Sequence, residues 1–180
     1  YMDNPLSLLS LNPTTLAPAE GVLTGLLAAI IYAQRKRLPT WDTLDTMAPG
    51  LAAFSVVLGF SHLASGDAFG APSELPGAID RGGERRHPAQ IYEILIAGVV
   101  FATFWGFRFR RPFPGFTFLS WLALAAASRL LLEGFRGDSV IVFGKLRLAQ
   151  LVTLGLLLGA MLYLHLRGRG QRRRVGQVPP

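Results

Sequence analysis

Residues 148-LAQLVTLGLLLGAMLYLHL-166 contain no Asp, Glu, Lys or Arg. A helix rises ~1.5 Å per residue, so this stretch extends about 25–30 Å, roughly the depth of a bilayer's hydrocarbon core. Four further apolar runs follow the same pattern: Leu16–Gln34, Met47–Ala64, Ile91–Phe107 and Phe113–Leu132. Inside lipid the backbone has no water to bond, so such runs must be helices. The expected fold is therefore all-α, a polytopic membrane bundle of about five transmembrane helices over residues 1–166. Residues 167–180 read as a basic cytoplasmic tail without fixed structure. The short stretch Pro5–Leu11 is expected to lie at the membrane interface.

Composition agrees. Hydrophobic residues make up 51% and charged residues 16% of the 180, against ~25% charged in soluble domains. The formal charge of +7 sits between apolar runs, which suits anionic lipid headgroups and not nucleic acid. With no cysteine, disulfides, zinc-thiolate sites and a cysteine nucleophile are excluded. Neither a metal nor a cofactor is expected. The first ten residues lack a basic region, so no cleavable signal peptide is expected.

The basic residues divide unequally. One side would hold Arg35, Lys36, Arg37, Arg108, Arg110, Arg111, Arg167, Arg169, Arg172, Arg173 and Arg174; the other holds Arg81, Arg85, Arg86, Arg136, Lys145 and Arg147. Eleven against six predicts the N-terminus outside and the C-terminus in the cytoplasm.

Three polar clusters would then fall at the outer side. Arg129 interrupts the apolar run Trp121–Leu132, where an unpaired arginine costs at least ~2.5 kcal/mol. Glu133 and Arg136 follow at i+4 and i+7, on one helical face, with Asp138 just beyond. This face is either a helix-end salt bridge with Arg129 snorkelling outward, or an anion site. In the second case Arg129 and Arg136 bind phosphate and Glu133 orients them. The second cluster, Arg85-Arg86-His87-Pro88-Ala89-Gln90-Ile91-Tyr92-Glu93, enters the third span. Pro88 suits a helix start, Tyr92 suits a membrane-interface anchor, and histidine at position 87 is a candidate general base. The third, Ser61-His62 to Asp67-Ala68-Phe69-Gly70, leaves the second span. Its Gly66 and Gly70 permit positive φ or close backbone approach, and Asp67 is placed to pair with an arginine of either other cluster.

These residues resemble the prolipoprotein diacylglyceryl transferase family. Arg86-His87-Pro88-x-Gln90-x-Tyr92-Glu93 resembles that family's R-H-P-x-Q-L-Y-E motif. Arg129-x-x-x-Glu133-x-Phe135-Arg136-x-Asp138 is similar to its R-F-x-x-E-F-x-R-x-x-D motif, and Asp67-x-x-Gly70 to the end of its G-R-x-x-N-F-x-N-x-E-x-x-G signature. The likeness covers about residues 18–165. It implies a bacterial cytoplasmic (inner) membrane enzyme moving a diacylglyceryl group from phosphatidylglycerol, or another anionic lipid, to a lipobox cysteine of a prolipoprotein. Arg129, Glu133, His87 and His62 are the expected catalytic residues. Arg86, Gln90, Tyr92, Arg136, Asp67 and Gly70 are the expected substrate-binding residues.

Elsewhere the family pattern is replaced. Its signature Arg falls at Gly59 and its first Asn at His62. A His of the S-F-H-G-G segment falls at Glu20, and a Tyr four residues before Arg129 falls at Ala125. The chain is also short of the family's usual seven spans at its N-terminal end. Two readings remain: a transferase in which His62 or His87 supplies the base and Arg85 or Arg86 the cation, or an inactive relative. The inactive relative would be a lipid-binding structural subunit joined to other membrane subunits.

Overall fold

The computed structural model describes residues 18–74, 76–81, 83–107, 111–137, 141–143 and 146–175. The expectations placed on Pro5–Leu11, Arg108, Arg110, Asp138 and Lys145 lie outside these residues. The chain forms two units, 1–40 and 41–180. The first carries helix α1, Pro18–Arg35, with Glu20 in its first turn and Arg35 in its last, each at the helix end that favours its charge.

The second unit carries α2 (Thr40–Ser65), α3 (Ala89–Phe107), α4 (Phe116–Glu133) and α5 (Leu148–Val175). These four are long and apolar enough to cross a membrane. The expectation of about five spans is thus met by four of the five helices. The polar ends of α1, Glu20 at one and Gln34 and Arg35 at the other, dilute its apolar run. The chain is a multi-pass membrane protein, mostly helical. Few large side chains are buried within it, and Leu95, Val99, Leu131 and Leu158 are among the many apolar ones left outward. Lipid accepts such a surface; water would not.

Two boundaries differ from expectation in an informative way. Helix α2 begins at Thr40, before the apolar run at Met47, and so takes Asp42 and Asp45 into its first turns. Helix α5 continues past Leu166 to Val175. Between the helices, two short antiparallel hairpins stand where only loops were expected. Ile79–Arg81 (β1) pairs with Glu84–Arg86 (β2), and Ile141–Phe143 (β3) with Leu146–Arg147 (β4).

Helix α4 packs against both α3 and α5. A small core of Ala52, Val100 and Phe104, with Phe101 and Trp121 against it, joins α2, α3 and α4. At one end of this bundle Asp45, fully buried, reaches from α2 to the start of α4. Its two carboxylate oxygens accept hydrogen bonds from the backbone N–H groups of Gly115 and Phe118, both at 2.8 Å. A helix start leaves such N–H groups without partners and carries positive partial charge, so a carboxylate there is doubly favoured. Trp41 at the start of α2 sets its ring against Tyr163 of α5, tilted, with ring centroids 5.1 Å apart. Asp45→Ala leaves two backbone donors unpaired, one buried and one partly buried, and a loss of about 2–4 kcal/mol is expected. It is read as a lower thermal midpoint in detergent, with Asp45→Asn intermediate because its amide retains one acceptor.

Candidate active site

The opposite ends of the same helices carry the polar clusters. Just past the end of α2 stands Gly66, whose φ of +83° suits glycine and whose N–H bonds the His62 carbonyl, a left-handed helix cap. The chain then runs between two other segments. Ala71 N–H donates to Phe135 O (2.8 Å) and Gly137 N–H to Phe69 O (3.0 Å) on one side. His87 N–H donates to Ala71 O (3.0 Å) and Ser73 N–H to Arg85 O (2.8 Å) on the other. Gly70 pairs with Arg136, and Pro72 with Arg86, as isolated β-bridges. Residues 69–73, which continue the third cluster, therefore stitch the first cluster to the second. A side chain at Gly70 would collide with the His87 backbone, and a Cβ at Gly137 would lie 2.9 Å from the Gly70 carbonyl oxygen. Only glycine permits this crossing.

Below that seam, at the ends of α2, α3 and α4, four ionisable side chains come together. The His62 Nδ1 lies 2.8 Å from Glu93 Oε2, with side-chain exposures of 24% and 16%. Arg129 Nε lies 3.5 Å from Glu133 Oε2. Glu133 is 1% exposed, and its Oε2 has no hydrogen-bond partner among the described residues. Its carbonyl oxygen accepts a bond from the Arg147 guanidinium. Glu93 joins the two pairs: Glu93 and Arg129 line one cavity of about 120 Å³, together with Trp121, Ala125, Ser55 and Ser128. Glu93, Arg129 and Arg136 also border a tighter space beside it.

The other expected site residues are placed as follows. Arg86 is held by Glu84 (2.5 Å), by the Gly70 carbonyl (3.4 Å) and by the Phe69 ring, whose centroid lies 5.1 Å away. Gln90 is buried and donates to the Asp67 carbonyl at 2.9 Å, tying α3 to the end of α2. The Asp67 carboxylate accepts a bond from Ser65 (2.8 Å), a local partner where an arginine was expected. His87 and Tyr92 set their rings against Phe135, with centroids 5.4 and 5.7 Å away. With Leu95 and Leu131 they line an apolar groove of about 380 Å³. Ile96 and Leu132 border both this groove and the Glu93–Arg129 cavity. Two hollows thus lie on either side of a thin apolar wall, with His62 linked to the polar one and His87 lining the apolar one.

The sequence alone does not single out Glu93 as a site residue, because nothing in it says that His62 sits beside it. Arg147 was counted only as a loop charge; its hold on the end of α4 depends on the β3–β4 hairpin. Gly59, at the place of a family arginine, packs on α3 so tightly that a Cβ would come 2.9 Å from Ile94 Cγ1.

Residues 1–166 match the family profile described as prolipoprotein diacylglyceryl transferase. The chain belongs to this family. Two proteins named phosphatidylglycerol–prolipoprotein diacylglyceryl transferase, from Trichormus variabilis and a Nostoc species, are each 32% identical to it over 188 aligned residues, covering 94% of this chain and 66% of theirs. A protein of the same name from Clostridioides difficile is 27% identical over 167 residues, covering 92% and 67%. The chain spans about two thirds of the length of these diacylglyceryl transferase relatives. The Arg86–Glu93 and Arg129–Arg136 motifs that carried the likeness are the same ones the seam brings together.

Proposed function

We propose that this protein transfers the diacylglyceryl group of phosphatidylglycerol to the thiol of a lipobox cysteine in a prolipoprotein. The observation supporting this most directly is the meeting of Arg129 and Glu93, with their partners Glu133 and His62, at one cavity in an apolar bundle. An arginine lining a cavity in an apolar bundle suits a lipid phosphate, because its planar fork can bind two oxygens at once. Glu133 holds the Nε side of Arg129 and leaves the Nη groups for that phosphate. Glu93 holds His62 through Nδ1, which leaves Nε2 to take the proton of the incoming thiol. The thiolate sulfur then attacks the glyceryl carbon that bears the phosphate. A C–S bond forms, the C–O bond breaks, and its electron pair leaves on glycerol phosphate. Arg129 stabilises the charge gained by that leaving group.

The direct test is complementation of a bacterium depleted of its own transferase. Rescue of growth and of lipoprotein lipidation is the expected outcome. A stably expressed protein that fails to rescue counts against the reading.

The bundle of α2 to α5 is proposed to lie in the bacterial cytoplasmic membrane with α5 ending in the cytoplasm, which puts the site at the outer leaflet. The distribution of Lys and Arg favours this arrangement. Since the chain has no cysteine, single substitutions report on it cleanly. In intact spheroplasts Glu74→Cys is expected to react with a membrane-impermeant maleimide, and Arg169→Cys only after lysis. The reverse pattern would invert the site.

A further inference from the structure

The cavity beneath Arg129 contains one donor that the proposed chemistry does not use. Ser55 and Ser128 spend their hydroxyls on their own helices, donating to Leu51 O (3.0 Å) and Leu124 O (2.7 Å). Glu93 is bonded to His62 and Arg129 is paired with Glu133. The indole Nε1 of Trp121 is buried and has no acceptor among the described residues. Its ring lies against Phe118, with centroids 5.8 Å apart, and packs on the Ala52–Val100–Phe104 core. An indole N–H held in an apolar setting without a partner is costly, so one usually finds a partner when buried.

Trp121, Ala125 and Arg129 stand at i, i+4 and i+8, on one stripe of α4, and all three line the cavity. The small Ala125 leaves the space between the other two open. At ~1.5 Å per residue Trp121 sits about 12 Å along the helix from Arg129, toward its N-terminus. A phospholipid whose phosphate meets Arg129 presents its ester carbonyls next along this line. Beyond those carbonyls it offers only hydrocarbon, which accepts nothing.

We infer that Trp121 donates its indole N–H to an acyl-ester carbonyl of the bound lipid, making it a specificity residue for ester-linked over ether-linked glycerolipids. The inference rests on the lipid-binding part of the proposed function, with the phosphate at Arg129, and not on turnover.

Equilibrium binding to the purified full chain in detergent tests it, with dioleoyl phosphatidylglycerol and its dialkyl-ether analogue as probes. An ether oxygen is a much poorer acceptor than an ester carbonyl. The protein should bind the diacyl lipid roughly five- to tenfold more tightly than the ether, the worth of about one neutral hydrogen bond. Trp121→Phe, which retains an aromatic ring, should bind both lipids alike at the weaker level. The ether lipid leaves the protein untouched, so its arm stands even if the variant folds poorly. A wild-type protein that binds the two lipids equally overturns the inference. So does a Trp121→Phe protein that still prefers the ester, or the absence of binding of either lipid. If the ester preference is present and lost in Trp121→Phe, yet no transfer occurs, the transferase reading fails while this contact stands.

Discussion

Arg129→Ala is expected to lower diacylglyceryl transfer by at least about 100-fold, because it removes the cation proposed to stabilise the departing phosphate. Two effects must be separated in that loss. Glu133 is almost wholly buried, with Arg129 its ion-pair partner. Removing one member of a buried pair can cost about 3–5 kcal/mol of stability. Arg129 is itself about a third exposed, and solvent screening places the expected cost below that range. The double variant Arg129→Ala with Glu133→Gln relieves the stranded charge and should recover thermal stability without recovering transfer. Arg129→Lys retains the charge but not the planar fork, and is expected to keep a small part of the activity. Transfer that persists in a well-folded Arg129→Ala protein would remove Arg129 from the chemistry. Rates of glycerol phosphate release, alongside thermal midpoints, decide between these outcomes.

The second large effect is expected at His62. Replacing it by alanine removes the proposed base, a loss of about 100- to 10,000-fold at neutral pH. That loss should shrink as pH rises toward ~8.5, where a free cysteine thiol ionises without help. A merely structural histidine would give a deficit that does not change with pH. Glu93→Gln should follow His62→Ala in direction but be milder, since the amide still accepts a bond from Nδ1 but supports less positive charge on the ring. His87→Ala is the informative contrast. Its ring stands with Tyr92 and Phe135 in the apolar groove, so it is expected to weaken substrate affinity more than turnover. The same pH-sensitive loss at His87 would transfer the base to that side of the Ile96–Leu132 wall.

Much of this arrangement is legible in the sequence, for reasons that are physical. A run such as Leu148–Leu166 announces itself because lipid admits apolar side chains and satisfied backbones and little else. Arg129 is conspicuous for the converse reason. That the three clusters share one end of the bundle follows from simple alternation of spans, and the residue 69–73 seam bears it out. The pairings are another matter. Asp45 falls outside an apolar window, so its role as a cap for α4, supplied from another helix, cannot be found by hydropathy. The link between His62 and Glu93 spans two helices and depends on the angle at which they meet. Trp121 reads as an ordinary core aromatic until its neighbours' hydrogen bonds are assigned. That α1 is not among the spans found in the described residues has a similar origin: it has an apolar middle, but its ends are polar.

Family membership rests on residues 1–166. Activity depends on whether His62 with Glu93, and Arg129 with Glu133, suffice where the sequence likeness sets Gly59, Glu20 and Ala125 against other residues of the family pattern. Gly59 has no room for an arginine beside Ile94, so this chain cannot recover that cation there without moving α3.

Transfer by the purified full chain in proteoliposomes tests the central claim most directly. The substrates are phosphatidylglycerol labelled in its headgroup glycerol and a synthetic lipobox peptide with a single cysteine. The peptide is predicted to gain the mass of one diacylglyceryl group in thioether linkage, with one equivalent of labelled glycerol phosphate released. An unmodified peptide and no released glycerol phosphate, under conditions where the lipid binds, would contradict it.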